Sequence, residues 1–167
     1  MMDYKNSIVA KIFSTAKDNT LINSWKQSHQ KLVFTNGCFD ILHRGHVDYL
    51  AQAASFGDKL IIGLNTDSSV KRLKGENRPI INQESRAILL ASLCFVDAVI
   101  FFEEDTPYQL IKEIQPDVLI KGADYQIEKI VGYDIVTAKG GEVKTIDLVP
   151  NCSTSAIIEK IKNMKDK

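Results

Sequence analysis

One short stretch of the sequence places two histidines and a glycine at a spacing that could bind phosphate. His43 and His46 are three residues apart with Gly45 between them, and they follow an apolar run that ends near Thr35. The pattern that comes next has the spacing of an amphipathic helix. Unpaired N–H groups and the positive dipole end favour a phosphate at a helix N-terminus. Imidazoles there could donate hydrogen bonds to a phosphoryl group as charge builds on it in a transition state.

The glycines and the count of histidines bear on this interpretation. Gly37 allows a tight turn, and Gly45 removes a Cβ that would keep a phosphate away from the backbone. A single histidine near a helix start more often caps the helix or fills space, and that alternative stays open for each residue taken alone. Two of the three histidines in the protein lie in this one turn, which favours phosphate binding.

Five short apolar runs, each of strand length, surround this stretch. They span residues 31–35, 60–65, 96–102, 118–121 and 143–148, with helical patterns between them. Strands that are continuously apolar and alternate with helices predict a parallel sheet that is covered on both faces. In such a sheet ligands bind beyond the carboxyl ends of the strands, where the strand order reverses. We therefore expect the chemistry in the loops that follow strands.

Capping residues and prolines mark the expected ends of the helices. The helix after the histidines should bury Val47, Leu50, Ala51 and Ala54 on one stripe and stop near Gly57. The other helices are expected over residues 11–30, over 83–93 after an Asn82 cap, from a Thr106 cap to Pro116, and from the hydroxyl residues 153–155, with Ile157, Ile158 and Ile161 buried.

Composition limits the classes of protein to which the chain can belong. With 167 residues, of which 44% are hydrophobic and 25% charged, it has the size and balance of one globular domain. Twenty-one basic and twenty-one acidic residues cancel, so no global field attracts nucleic acid or an anionic membrane. No run approaches the ~20 apolar residues of a membrane span, and the first ten residues lack a signal-peptide pattern. We expect a cytoplasmic protein with free thiols at Cys38, Cys94 and Cys152.

The histidine stretch resembles the signature of the nucleotidyltransferase superfamily, which includes cytidylyltransferases and pantetheine-phosphate adenylyltransferases. That signature is Gly-x-Phe-Asp-x-x-His-x-Gly-His, here Gly37, Phe39, Asp40, His43, Gly45 and His46. Within the superfamily the chain is most similar to heptose-1-phosphate adenylyltransferases, in many bacteria the C-terminal half of a bifunctional heptose kinase/adenylyltransferase. Residues 34–40, 73–79, 102–107, 116–125 and 152–155 carry this similarity, and Ala123 stands where the family pattern has a second glycine.

The resemblance implies an α/β fold of the Rossmann-like, doubly wound type. Its parallel sheet would have five strands in the order 3-2-1-4-5. One nucleotidyltransferase domain would cover residues 1–167, with a helical extension over about 1–30 and the core over about 31–161. The first and fourth strands would then be neighbours. The loops after them, at residues 36–46 and 121–124, would face each other across the point where the strand order reverses.

The resemblance also implies a reaction and its reactants. AMP would pass from the co-substrate ATP to D-glycero-D-manno-heptose 1-phosphate, which gives ADP-heptose and pyrophosphate for lipopolysaccharide precursors. Mg²⁺ would be bound mainly by the phosphates, without a metal site of the protein's own. A separate heptose kinase would supply the sugar phosphate, because the chain has no room for a kinase domain. A homo-oligomer is implied, and a nucleic-acid or membrane partner is not.

The residue types and the resemblance together assign three groups of site residues. His43, His46 and Lys71 are expected to be catalytic, and Asn65, Asp67 and Arg78 to bind the substrate. The residues expected to bind the nucleotide are Thr35, Asn36, Gly37, Cys38, Phe39, Asp40, Gly45, Lys121, Gly122, Asp124, Ser153, Thr154 and Ser155.

Ordinary alternatives stay open for several of these residues. Lys71 could be a solvated lysine on a capped helix, and Arg72 or Lys74 could contact the triphosphate in its place. Arg86 could form a surface pair with Glu84 or a helical neighbour, or it could have a structural or substrate-binding role. The hydroxyls at 153–155 could act only as a helix cap.

Two other functions stay open for the whole chain. A cytidylyltransferase that acts on glycerol phosphate or a similar polyol phosphate would share the histidine motif, and spacing alone does not exclude it. A non-catalytic nucleotide-binding module is the other alternative, although intact His43 and His46 argue against it.

Overall fold

Runs of branched apolar residues form a sheet of six parallel strands. The computed structural model describes residues 3–16, 20–150 and 152–164. Within these ranges, the strands are β1 Ile12–Phe13, β2 Leu32–Gly37, β3 Lys59–Asn65, β4 Ala98–Phe102, β5 Val118–Gly122 and β6 Glu142–Ile146.

The sheet has one strand more than the sequence predicted. The order is β1-β4-β3-β2-β5-β6, so the count of five is wrong, and the stated order 3-2-1-4-5 lacks the edge strand β1. The additional strand, β1, lies at the edge beside β4, where the Val99 N–H donates to the carbonyl of Lys11. β1 has only two residues, and so short a strand has no periodicity that could reveal it. The five predicted runs lie together as β4-β3-β2-β5-β6.

Helices cover both faces of the sheet. One face packs against buried residues that include Tyr49, Leu50 and Leu90, and the other against Trp25 and Ile111 among others. None of the described helices is long and apolar enough to cross a membrane. The helices are α1 Tyr4–Val9, α2 Thr20–Gln27, α3 Arg44–Ala54, α4 Asp67–Lys74, α5 Gln83–Ala91, α6 Tyr108–Ile114, α7 Tyr133–Ala138 and α8 Thr154–Asn163, with a short 3-10 helix at Ile127–Lys129.

Some of the expected helix ends are confirmed and others are wrong. The side chains of Asn82 and Ser153 accept hydrogen bonds from the first turns of α5 and α8, as capping residues do. Thr106 is not the cap of α6, since Pro107 occupies that position. α6 ends at Ile114 because Gln115 adopts a left-handed conformation, with φ of 50°.

Two predictions about buried helix faces are wrong. In α3 Leu50 is buried as expected, but Tyr49 and Ala53 are buried beside it, whereas Ala51 is exposed and Val47 and Ala54 are only half-buried. In α8 no residue of Thr154–Asn163 is buried, and Ile161 is 53% exposed. α8 therefore contributes little to the core.

The segment expected to be a helical extension also contributes a strand. Residues 11–30 hold β1 and α2, while residues 17–19 lie outside the described part of the chain. Ile22 and Trp25 of α2 are buried against the sheet. The Lys11 ammonium donates to the carbonyl of Val96, which ties this segment to the start of β4. β1 and α2 are thus part of the packed fold.

Candidate active site

The carboxyl ends of β2 and β5 open a cavity of about 740 Å³. These strands pair only at Val33–Val118 and Phe34–Leu119, three residues before each of them ends. Past that point the loops after β2 and β5 line opposite sides of the cavity, together with the loops after β3, β4 and β6. The two loops that the sequence predicted to face each other therefore do line one cavity.

The loop after β2 is compact because Phe39 folds inward. Phe39 has a φ of 44°, a left-handed conformation that is rare outside glycine and concentrates at functional sites. Its ring is buried and meets the His46 ring edge-on, with 5.2 Å between centroids. A Cβ on Gly37 would lie 3.0 Å from this ring, so glycine is needed at that position for close packing.

The two motif histidines stack on each other at the mouth of α3. Their ring centroids are 3.8 Å apart and the planes differ by 19°. His43 occupies the capping position of α3 without a side-chain capping bond. The Nδ1 atoms of both rings are buried, and no group in the described part of the chain bonds to them. Both residues line the cavity, so a ligand there can contact the imidazole rings.

The surroundings keep both imidazoles neutral at physiological pH. Burial lowers the pKa of His43, and burial together with the nearby His43 lowers the pKa of His46 to about 4, against the opposing influence of a hydrogen bond with the Ile41 backbone. A bound phosphate would reverse this effect, because an anion favours the protonated form. The binding of an anionic ligand therefore favours protonation of the two imidazoles.

Gly45 packs closely against protein groups, whereas the sequence suggested that it makes room for a phosphate. It is buried, and a Cβ there would lie 2.9 Å from the Cβ of Cys152 and 3.1 Å from the His43 ring. Its missing side chain therefore makes room for the imidazole and for the segment before α8. The expected close approach of phosphate to the backbone stays a prediction.

Asp40 binds protein groups with both of its carboxylate oxygens. It is 2% exposed, and it accepts hydrogen bonds from the N–H groups of Ile80 and Ile81 at 2.8 and 2.9 Å and from Nε of Arg78 at 2.6 Å. Burial by itself would raise the pKa of the Asp40 carboxyl, but these donors outweigh it and hold the pKa below its ordinary value. Asp40 thus anchors the segment that carries Arg78.

Arg78 keeps its terminal amino groups for the cavity. Its Nε donates to Asp40, whereas no group of the described residues accepts a hydrogen bond from its other two nitrogens. The side chain is 18% exposed and lines the cavity. A guanidinium with two unengaged nitrogens is well suited to a phosphate.

Lys121 lies at the end of β5 and reaches across to β2. Its ammonium is 3.4 Å from the carbonyl oxygen of Asn36 and 5.4 Å from the centre of the Tyr125 ring. Burial lowers the pKa of Lys121 to about 8, against the opposing influence of Asp124. A Cβ on Gly122 would lie 2.5 Å from the Asp124 carboxylate, so the glycine leaves space for that side chain.

Three basic residues of α4 differ in their relation to the cavity. Arg72 pairs with Asp105 at 3.0 Å and with Glu103, and its remaining nitrogen donates to the Glu103 carbonyl. Lys74 lines the cavity, and Lys71 does not. The structure therefore favours Lys74 over its two neighbours as a ligand.

Most of the predicted site residues line the cavity, and three do not. Thr35 is fully buried and its hydroxyl bonds that of Tyr49 at 2.8 Å, Asp67 pairs with Arg86 at 2.7 Å, and Lys71 lies outside the cavity. Arg86 is buried and does not form the surface pair with Glu84. The predicted residues that line the cavity are Asn36, Gly37, Cys38, Phe39, Asp40, His43, Gly45, His46, Asn65, Arg78, Lys121, Gly122, Asp124, Ser153, Thr154 and Ser155.

Several lining residues were missed by sequence reasoning. Lys129, Ile130 and Val131 belong to the irregular segment around the 3-10 helix, which has no periodicity to mark it. Leu148 and Val149 follow β6. The only sequence signal for these residues was their position after strands.

The donor set around the cavity fits a divalent cation that is bound chiefly by a ligand's own oxygens. Among the described residues no group of three or more His, Cys, Asp or Glu side chains could hold a metal ion. Asp40 and Asp105 are already paired with Arg78 and Arg72. Phosphate oxygens and water would therefore supply most ligands of a bound Mg²⁺.

Comparison with known proteins gives one family and a set of close relatives. Residues 34–160 match the family model described as cytidylyltransferase-like. The bifunctional protein HldE of Ectopseudomonas mendocina is 59% identical over 134 residues, which make up 80% of this chain and 28% of that protein. The HldE of Wolinella succinogenes is 52% identical over 151 residues, 90% of this chain and 31% of that protein. The chain spans less than a third of the length of these two relatives.

A solved structure has a similar fold. The lipopolysaccharide core biosynthesis protein of Thermoplasma volcanium superposes with a TM-score of 0.57 at 30% identity. The match covers 72% of this chain and 97% of that one.

The buried histidine pair generates a testable titration. In an NMR pH titration we expect the His46 ring to take up its proton near pH 4, because burial and the neighbouring His43 both oppose its charge. His43→Ala removes the second of these causes, so the pKa of His46 should rise toward 6.5 in that variant. A wild-type His46 that titrates at 6.5 or above would contradict the buried, stacked arrangement.

Proposed function

Since this chain belongs to the cytidylyltransferase-like family, we propose that it is a nucleotidyltransferase that moves AMP from ATP to a heptose 1-phosphate. The products would be ADP-heptose and pyrophosphate. The observation that carries the proposal is the stacked pair of His43 and His46, whose buried Nδ1 atoms lack protein partners at the mouth of the cavity. The similarity to the HldE proteins and to a lipopolysaccharide core biosynthesis protein supports the sugar phosphate as acceptor.

The proposed chemistry is a single in-line displacement. An oxygen of the sugar phosphate forms a bond to the α-phosphorus of ATP, and the bond from that phosphorus to the bridging oxygen of the β-phosphate breaks. The electron pair leaves with pyrophosphate. The attacking phosphate is already anionic at neutral pH, so no general base is required. Catalysis then consists of positioning and of stabilising the charge that builds on the phosphoryl oxygens.

Two chemically different sides of the cavity support two subsites. On the side of β5, β6 and α8, Tyr125, Ile130 and Leu148 offer an apolar surface for a base. Lys121 and the Ser153 to Ser155 hydroxyls at the start of α8 suit the nucleotide phosphates. We call this the nucleotide half.

On the other side, Asn65 and Arg78 suit the acceptor phosphate. We call this side the acceptor half. Lys74 is the α4 cation that would reach the triphosphate, and Mg²⁺ would neutralise part of its charge. Asp40 would act through Arg78, since its oxygens are occupied.

The wider setting of the reaction belongs to the proposal as well. A cytoplasmic enzyme that forms a homo-oligomer and receives its sugar phosphate from a heptose kinase activity fits the resemblance. The competing function is cytidylyl transfer to glycerol phosphate or a similar polyol phosphate, which the family description keeps open.

A substrate panel tests the proposed reaction. The purified chain is incubated with Mg²⁺, each of four nucleoside triphosphates and several sugar 1-phosphates or glycerol 3-phosphate, and the products are identified by mass. We expect ADP-heptose from ATP and heptose 1-phosphate only. CDP-glycerol as the main product would favour the competing function, and no product with any pair would favour a non-catalytic nucleotide-binding module.

Loss of either histidine should reduce turnover far more than stability. His43→Ala and His46→Ala each remove a donor to the developing phosphoryl charge, so kcat should fall by roughly a hundredfold or more. His43 makes no capping bond, so its loss should leave α3 intact. Near-normal kcat in both variants, with circular dichroism unchanged, would contradict the catalytic role of the two histidines.

Two lysines of α4, three residues apart, provide a matched pair of variants. Lys74→Ala should raise the KM for ATP by about tenfold, the loss of one charge-assisted contact. Lys71→Ala removes the same charge three residues away, outside the cavity, and should leave the KM for ATP within about twofold. A larger rise in the KM for ATP in Lys71→Ala than in Lys74→Ala would indicate that Lys71 contacts the triphosphate.

A further inference from the structure

Arg86 is a buried cation in the interior behind the cavity. It lies on α5, is 1% exposed and is the largest fully buried side chain among the described residues. A buried charge is costly unless it is paired and fully hydrogen-bonded. The carboxylate that pairs with it is Asp67, at 2.7 Å from one terminal nitrogen.

The other hydrogen bonds of Arg86 connect three separate segments of the chain. One terminal nitrogen donates to the carbonyl of Cys38, after β2, at 2.6 Å and to that of Asn65, at the end of β3, at 2.9 Å. Its Nε donates to the carbonyl of Ile81 at 2.9 Å. Cys38 and Asn65 themselves line the cavity, and Ile81 follows Arg78, which lines it too, by three residues. One side chain therefore sets the spacing of three segments.

Asp40 holds the same segment from the opposite side. The Ile81 N–H donates to Asp40, and the Ile81 carbonyl accepts from Arg86. Asp40 in turn binds Nε of Arg78. The backbone at Ile81 is therefore fixed on both sides, and the direction of the Arg78 guanidinium depends on that backbone.

We propose that Arg86 is a positioning residue that holds Arg78 and Asn65, the acceptor half of the cavity, in register with the histidine pair. The inference rests on the proposed function. None of the four groups that Arg86 binds belongs to β5, β6 or α8, so the nucleotide half stays in place without it. Only a guanidinium can donate to four acceptors in this planar arrangement, and a lysine cannot.

A conservative variant separates positioning from general stability. In Arg86→Lys the charge remains but the fork is lost, so the KM for heptose 1-phosphate should rise by about tenfold or more and kcat should fall. The dissociation constant for MgATP, measured by calorimetry, should rise by less than this KM, because Arg86 contacts α4 through Asp67 but makes no contact with the nucleotide half. Arg72→Lys makes the same change at a half-exposed arginine outside the cavity and should alter neither constant.

Hydrogen exchange supplies a readout that does not depend on the reaction. In Arg86→Lys the amides of Ile80 and Ile81 should exchange faster, while those of β5 keep their protection. If the wild type makes no product in the substrate panel, the proposed function fails, and the exchange pattern still tests the positioning role.

Three results obtained with a folded variant would overturn the proposal. They are equal weakening of MgATP and acceptor binding, unchanged kinetics in Arg86→Lys, and unchanged exchange at Ile80 and Ile81. Arg86→Gln, a neutral donor that needs no counter-charge, is measured if the lysine variant does not fold. Failure of both variants to fold makes Arg86 a residue of the core and overturns the proposal too.

Discussion

Strands β2 and β5 share their register over only two residue pairs, and the next three residues of each strand run past that pairing. A parallel sheet offers its ligand site where neighbouring strands lead to helices on opposite faces. Here that geometry places the histidine loop on one side of the opening and Lys121 on the other. The lysine ammonium contacts the Asn36 carbonyl across the gap, so the opening is bridged by a charge and not by a backbone ladder. The cavity exists because the pairing stops early.

Local signals of the sequence predicted the parts of this fold that are made locally. Continuous apolar runs predicted the strands from β2 to β6, and hydrogen-bonding side chains predicted the caps at Asn82 and Ser153. The histidine motif was predicted to line the site because its spacing and its place after a strand agree. Each of these signals involves residues that are close in the chain, and tertiary contacts are not needed to interpret them.

What the sequence could not predict depends on contacts between distant residues. The burial of Arg86 requires carbonyls and a carboxylate from three other segments, and a charged residue on a helix is ordinarily solvated. The exposure of Ile161 depends on where α8 lies relative to the sheet. The direction of Arg78 follows from Asp40, thirty-eight residues away. A chain with no net charge thus brings four lysine and arginine side chains to one cavity, beside three aspartates, an arrangement that composition does not reveal.

The two-residue strand β1 matters for where this unit can be separated from a longer polypeptide. Strand β4 would present its unpaired backbone groups to solvent if Ile12 and Phe13 were absent, and an exposed apolar edge is a template for intermolecular pairing. Removal of Ile22 and Trp25, which are buried against the sheet, would expose an apolar patch on its face. A fragment cut at residue 31, where the first long apolar run begins, would keep the whole cavity and still be prone to aggregate. The excisable domain therefore begins before Lys11, and a fusion partner has to be joined ahead of that point.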